Sequence, residues 1–159
     1  MELQQRLIEE MKEGMKSGDT ERVGVIRMLR STLKNKEIEK RPSLSEGTTA
    51  TLTEEEVLQV ISAAVKQRNE SIPLFEKAGR SDLVDKEKRE VVILESFLPH
   101  PFSEPELNAK IAEAITESGA TTLQQMGEVM KVLKPRLVGR ADMQKVSMRV
   151  RTCLTETPQ

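Results

Sequence analysis

The sequence contains no tryptophan, no tyrosine and only three phenylalanines. A core without large rings must be assembled from Leu, Ile, Val, Met and Ala, which suits thin helical layers better than one thick globule. The hydrophobic fraction of 36% lies below the roughly 45–50% of an average domain, in keeping with slender bundles that carry much solvated surface. Neither a strand-rich sandwich nor a membrane span fits this composition. A single cysteine, Cys153, excludes an intramolecular disulfide and any need for an oxidising compartment. One histidine and one cysteine are too few for a zinc cluster. Neither G-x-G-x-x-G nor G-x-x-x-x-G-K-[ST] occurs, so no Gly-rich phosphate loop is present. The opening MELQQRLIEE has no apolar signal core and is too acidic for a transit peptide. The expectation is a cytoplasmic protein with no metal, no cofactor and no membrane association.

What is present is helical periodicity, punctuated by caps. A first helix is predicted from about Leu3 to Lys16, with Leu3, Leu7, Met11 and Met15 on one face and a stop at Ser17–Asp19. Asp19 caps a second helix, whose apolar stripe is Val23, Ile26, Leu29 and Leu33 and whose adjoining polar strip is Arg27, Arg30 and Lys34. It should end near Arg41–Pro42, followed by a small, polar and mobile loop from Pro42 to Thr53. Thr53 and Glu56 form a capping box opening a third helix, with Val57, Val60 or Ile61, Ala64 and Val65 inward and a kink expected near Pro73. Ala78–Gly79 ends it. Ser81 is read as the cap of a fourth helix, with Leu83, Val84, Val91, Leu94 and Leu98 inward.

Pro99 and Pro101 then make a stiff connector around His100. Ser103 and Glu106 box the next helix, which Gly119 stops. Thr122 and Gln125 cap a short one that is expected to end at Lys134–Pro135. The last helix, from about Asp142 to Leu154, buries Met143, Val146, Val150 and Cys153 or Leu154. The fold class is therefore all-α: an N-terminal four-helix bundle-like domain over residues 1–98, a Pro-rich connector at 99–103, and a small C-terminal three-helix domain over 104–159.

Residues suited to chemistry are scarce. His100 sits between prolines and Cys153 at apolar spacing, so no nucleophile stands beside an oriented base. Two segments stand out. One is the polar cluster of Lys66, Arg68, Glu70 and Arg80, a candidate partner-binding surface; Arg80, in an interhelix turn, is placed to cap free carbonyls. The other is basic. Residues up to Met130 carry 18 basic and 24 acidic side chains, whereas Lys131 to Arg151 carry seven basic and one acidic, within a chain whose net charge is −1. Lys131, Lys134, Arg136, Arg140, Lys145 and Arg149 are thus the candidate nucleic-acid contacts, although the lysines and arginines that end helices also offset the helix dipole. Without Tyr or Trp platforms, a nucleic acid would be read through shape and phosphates.

Taken in order, MKSGD at Met15–Asp19, LRS at Leu29–Ser31, NKEIEK at Asn35–Lys40 and TEEE at Thr53–Glu56 resemble the YqeY-like proteins. So do KQRNES at Lys66–Ser71, AGRSDL at Ala78–Leu83 and ESFLP at Glu95–Pro99. In the second unit the resemblance continues through MGEVM at Met126–Met130, LKP at Leu133–Pro135, GRAD at Gly139–Asp142 and VS at Val146–Ser147. Where that family more often has an acidic residue before Met-Gly and a lysine after it, this chain has Gln125 and Glu128. The resemblance implies a relation to the tail domain of the GatB subunit of tRNA-dependent amidotransferase, a helical module reached by tRNA. Three functions follow as expectations: a non-catalytic module binding tRNA or an amidotransferase-like or aminoacyl-tRNA partner; a carbon–nitrogen ligase using glutamine as amide donor; or a protein-interaction module without RNA.

Overall fold

Helices account for the architecture of the computed structural model, which describes residues 2–43, 47 and 49–156, and no strand occurs among the described residues. The chain divides into two compact units, Met1–Leu98 and Pro99–Gln159. The first holds α1 (Leu3–Ser17), α2 (Thr20–Lys40), α3 (Glu54–Lys77) and α4 (Ser81–Glu95). The second holds α5 (Glu104–Ser118), α6 (Met126–Leu137) and α7 (Met143–Glu156).

In the first unit α1 and α2 form one hairpin and α3 and α4 a second. Gly18, at φ 78°, ends α1 in the left-handed conformation that glycine adopts without penalty. Asp19 then accepts the Arg22 backbone N–H at 3.0 Å. Gly14 brings the two backbones close, because a Cβ there would meet Val23 Cγ2 at 2.9 Å. Met15, expected inward, is exposed instead: Gly14 takes the buried position and the stripe turns with it. Leu7, Ile26, Leu29, Val57, Ile61, Leu94 and Phe97 form the centre of the core.

The Thr53–Glu56 capping box is present, and Lys40 at the end of α2 reaches both the Glu56 carboxylate, at 2.8 Å, and the Thr51 carbonyl, at 3.1 Å. Lys40 and the Thr53 N–H hold the Glu56 carboxyl below its ordinary pKa. The expected mobile loop is therefore partly fastened: Ala50 is buried and Leu52 packs on the core, while residues 44–46 and 48 lie outside the described residues. Helix α3 runs on through Pro73 to Lys77. Ser81 is not a cap but the first helical residue of α4, with Arg80 at the N-cap position and no side-chain cap bond.

At the end of α4, Phe97 is 2% exposed. The guanidinium groups of Arg6 and Arg22 lie over its ring at 5.1 and 5.5 Å. Glu10 binds both arginines, and Arg6 also donates to the Ser96 carbonyl at 2.9 Å. Burial pushes the Glu10 carboxyl up, but hydrogen bonds and charge from Arg22 and Arg6 outweigh it and hold the group below its ordinary value.

In the second unit the Ser103–Glu106 capping box is present and Gly119 stops α5 at φ 68°. Gln125 accepts the Thr122 backbone N–H at 3.1 Å, fixing the entry to α6. That helix does not end at Lys134–Pro135 but continues to Leu137. Pro135 falls in its last turn, where it withholds one backbone donor, from the carbonyl of exposed Lys131, and Leu137 is drawn into the core beside Val129 and Leu133. Val146, Val150 and Leu154 complete the core from α7. Cys153, expected as a core alternative to Leu154, is exposed.

Candidate nucleic-acid interface

Because Val129, Leu133 and Leu137 face the core at spacings of four, Lys131 and Lys134 fall away from it on α6, while Arg136 is exposed at the flank of the buried stripe. By the same argument Val146, Val150 and Leu154 leave Lys145, Met148 and Arg151 outward on α7. The six candidate cations nevertheless occupy different states. Arg136 is bound to Glu117 of α5 at 2.8 Å. Arg149 is bound to Glu104 at the start of α5, and its Nη1 donates to Asn108 Oδ1 at 3.1 Å. Arg140 makes no ion pair among the described residues. Its Nε donates to the His100 carbonyl at 2.7 Å and its guanidinium lies 3.6 Å from the centre of the Phe102 ring. The Phe102 backbone N–H returns a bond to the Arg140 carbonyl at 3.0 Å. Arg140 therefore fastens the connector to the α6–α7 turn.

Lys131, Lys134 and Lys145 are exposed and make no hydrogen bond or ion pair among the described residues. These three, rather than the arginines, are the uncommitted positive charges. Arg151, outside the candidate set, shares their outward exposure; the spacing Lys145, Met148, Arg151, with Met148 69% exposed, was the sequence signal for that face.

The second predicted cluster does not assemble. Arg68 is buried: its Nε pairs with Glu90 of α4 at 2.8 Å, Nη1 donates to the Ala64 carbonyl and Nη2 lies 3.2 Å from the Met28 sulfur. It joins three helices and is not available for docking, a correction to its reading as a surface cation. Lys66 and Glu70 form only a loose exposed pair at 4.0 Å. Arg80 does not cap carbonyls; it binds the Asp82 carboxylate at 3.0 Å, which raises the arginine's pKa and lowers that of the acid. No group of three His, Cys, Asp or Glu among the described residues could hold a metal ion. No described helix is long and apolar enough to cross a membrane.

Similarity to known proteins bears on the rest. Altered inheritance of mitochondria protein 41, mitochondrial, of Kluyveromyces lactis is 34% identical over 114 residues, covering 70% of this chain and 57% of the relative. The protein of the same name from Lachancea thermotolerans is 34% identical over 113 residues, with the same coverage. That of Candida glabrata is 28% identical over 137 residues, covering 86% of this chain and 69% of the relative. The chain thus spans little more than half the length of the first two relatives. Their names overturn the expectation of a cytoplasmic protein, since these relatives are mitochondrial. A lone cysteine and an acidic first segment do not separate one reducing compartment from another. With residues 4–154 also matching the family's own pattern, this chain belongs to the YqeY-like protein family.

Proposed function

We propose that this chain is a non-catalytic helical module that binds tRNA through phosphate contacts from Lys131, Lys134 and Lys145, with Arg136 and Arg149 recruited by exchange from their carboxylate partners. The observation that carries this reading is the division of labour in the C-terminal unit. Its candidate arginines are engaged with α5 or the connector, while three lysines are exposed without a partner among the described residues. Lysine is a mobile point charge suited to sequence-independent phosphate contact. The resemblance to the GatB tail favours RNA as the partner of that surface.

The test is a fluorescence-anisotropy titration of the chain against bulk tRNA and a DNA duplex of similar length, repeated across salt. Reversal of Lys131, Lys134 and Lys145 to Glu should abolish the preference for tRNA and shallow the salt slope by about two to three. Unchanged tRNA binding after the triple reversal would overturn the site. Glutaminase turnover by the purified chain would overturn its non-catalytic character.

A further inference from the structure

Away from the lysine face, α1 and α2 place two ridges side by side. On α1, Ile8, Met11 and Met15 follow at i, i+3 and i+7; on α2, Arg27, Arg30 and Lys34 follow at the same spacing. The helices run in opposite directions, so the ridges meet in order. Ile8 and Lys34 line one cleft, and Arg30 Nη1 reaches the Met11 sulfur at 3.7 Å. The same register sets Met15, which is 56% exposed, beside Arg27. The cleft, about 190 Å³, has Leu7, Ile8 and Leu33 at its floor and Arg30 and Lys34 at its rim. Glu37, also on the rim, is held by Lys34 at 3.0 Å.

The cations of α2 differ in how they are held. Lys34 binds Glu37 one turn away, as Lys66, Lys86 and Lys110 bind Glu70, Glu90 and Glu113. Arg27 and Arg30 have no ion pair among the described residues, and Arg30 stands as a like charge four residues before Lys34. An apolar ridge with an open cleft, flanked by these two arginines, is complementary to a helix that carries aliphatic side chains on one face and carboxylates along its flank.

We propose that the α1–α2 ridges form a docking groove for an acidic amphipathic helix of a partner protein. One aliphatic side chain fills the cleft, and carboxylates one turn to either side meet Arg27 and Arg30. The cleft is smaller than the roughly 300–1,000 Å³ usual for small-molecule sites, and a phosphate backbone brings no apolar group to its floor. Both points favour a peptide.

A methyl-detected NMR titration of the full chain tests this, using as probe a synthetic amphipathic peptide with leucines on one face and glutamates on the flank. The expected result is shifts confined to the methyls of Ile8, Met11, Met15 and Leu33. Affinity should fall about tenfold or more in R27E/R30E, and also when the peptide's leucines become alanine or its glutamates lysine. Both arginines are exposed, so an unchanged spectrum elsewhere shows that the variant is folded. Reversal of Lys131, Lys134 and Lys145 should leave peptide binding unaltered, which separates this groove from the proposed RNA surface. Absence of shifts at millimolar peptide, or equal binding by R27E/R30E, would overturn the proposal. So would bulk tRNA moving these methyls when the peptide does not, which would reassign the ridge to phosphate.

Discussion

Two phenylalanines carry arginine on their faces, one near the end of the first unit and one near the start of the second, and they hold it in different ways. Phe97 is buried beneath Arg6 and Arg22, and Glu10 binds both guanidinium groups while the Ser96 carbonyl takes a further N–H. Phe102 is half-buried beneath Arg140 alone, whose Nε donates to the neutral His100 carbonyl and whose charge adds to the Ser103 hydrogen bonds in holding the Glu106 carboxyl below its ordinary pKa. The first arrangement is an internal fastening in which two guanidinium groups share one carboxylate. The second fastens the connector through a ring and a neutral carbonyl, with no ion pair among the described residues. Whether an arginine counts as structure or as surface thus depends on the acid beside it, not on the ring beneath it.

Truncating the rings tests the contrast most severely. Phe97→Ala should cost about 3–5 kcal/mol, the range for a filled aromatic core position, whereas Phe102→Ala should cost roughly half as much because its ring already meets solvent; urea unfolding of each variant reads the difference. A smaller loss at Phe97 than at Phe102 would erase the distinction.

Next in size is Glu10→Gln, expected to lose about 1–3 kcal/mol by leaving two guanidinium groups over one ring without their counterion. The pH dependence has a definite sign. Glu10 has a depressed pKa in the folded chain, so its contribution is complete above the ordinary carboxylate range and fades as pH falls through the folded value. The gap between wild type and Glu10→Gln should therefore close in acid, as followed by unfolding midpoints across pH.

The smallest expected effect is Arg140→Lys. Lysine keeps the charge but loses the planar stack and the directed Nε bond. Unfolding stability should drop by about 1 kcal/mol, while tRNA affinity should change less than about twofold, since the charge remains. A large loss of affinity with unchanged stability would make Arg140 a direct contact and reverse its role in the comparison.

Local chemistry was legible where a few adjacent residues settle it. Asp19, the Thr53–Glu56 and Ser103–Glu106 boxes and Gly119 mark helix ends because cap bonds span only three or four residues. The apolar stripes of α2 and α7 follow from the helical period. What escaped was set by distant segments. Arg68 reads as one more polar residue in KQRNES; its burial depends on Glu90, 22 residues later on another helix. The basic run from Lys131 to Arg151 reads as one patch, yet Glu117 and Glu104 reach in from α5 to occupy two of its arginines. Pro135 looked like a terminator, but the apolar pull on Leu137 carried α6 one turn further. The N-cap of α4 lies one residue before the cap expected at Ser81: Arg80 holds that position although its guanidinium has no acceptor for a backbone N–H, and the arginine binds Asp82 instead.

Helix α5 carries Glu104 and Glu117 at its two ends, about 20 Å apart along the axis, each holding one arginine of a neighbouring helix. The C-terminal unit thereby contains its own competitor for anions. A weak or isolated negative group that meets this face must displace a carboxylate already in place and gains little by doing so. On the proposed reading, a polymer with many regularly spaced charges would first settle on the lysines and then exchange at both ends, and α5 would act as a threshold that selects for length and charge density without reading any sequence.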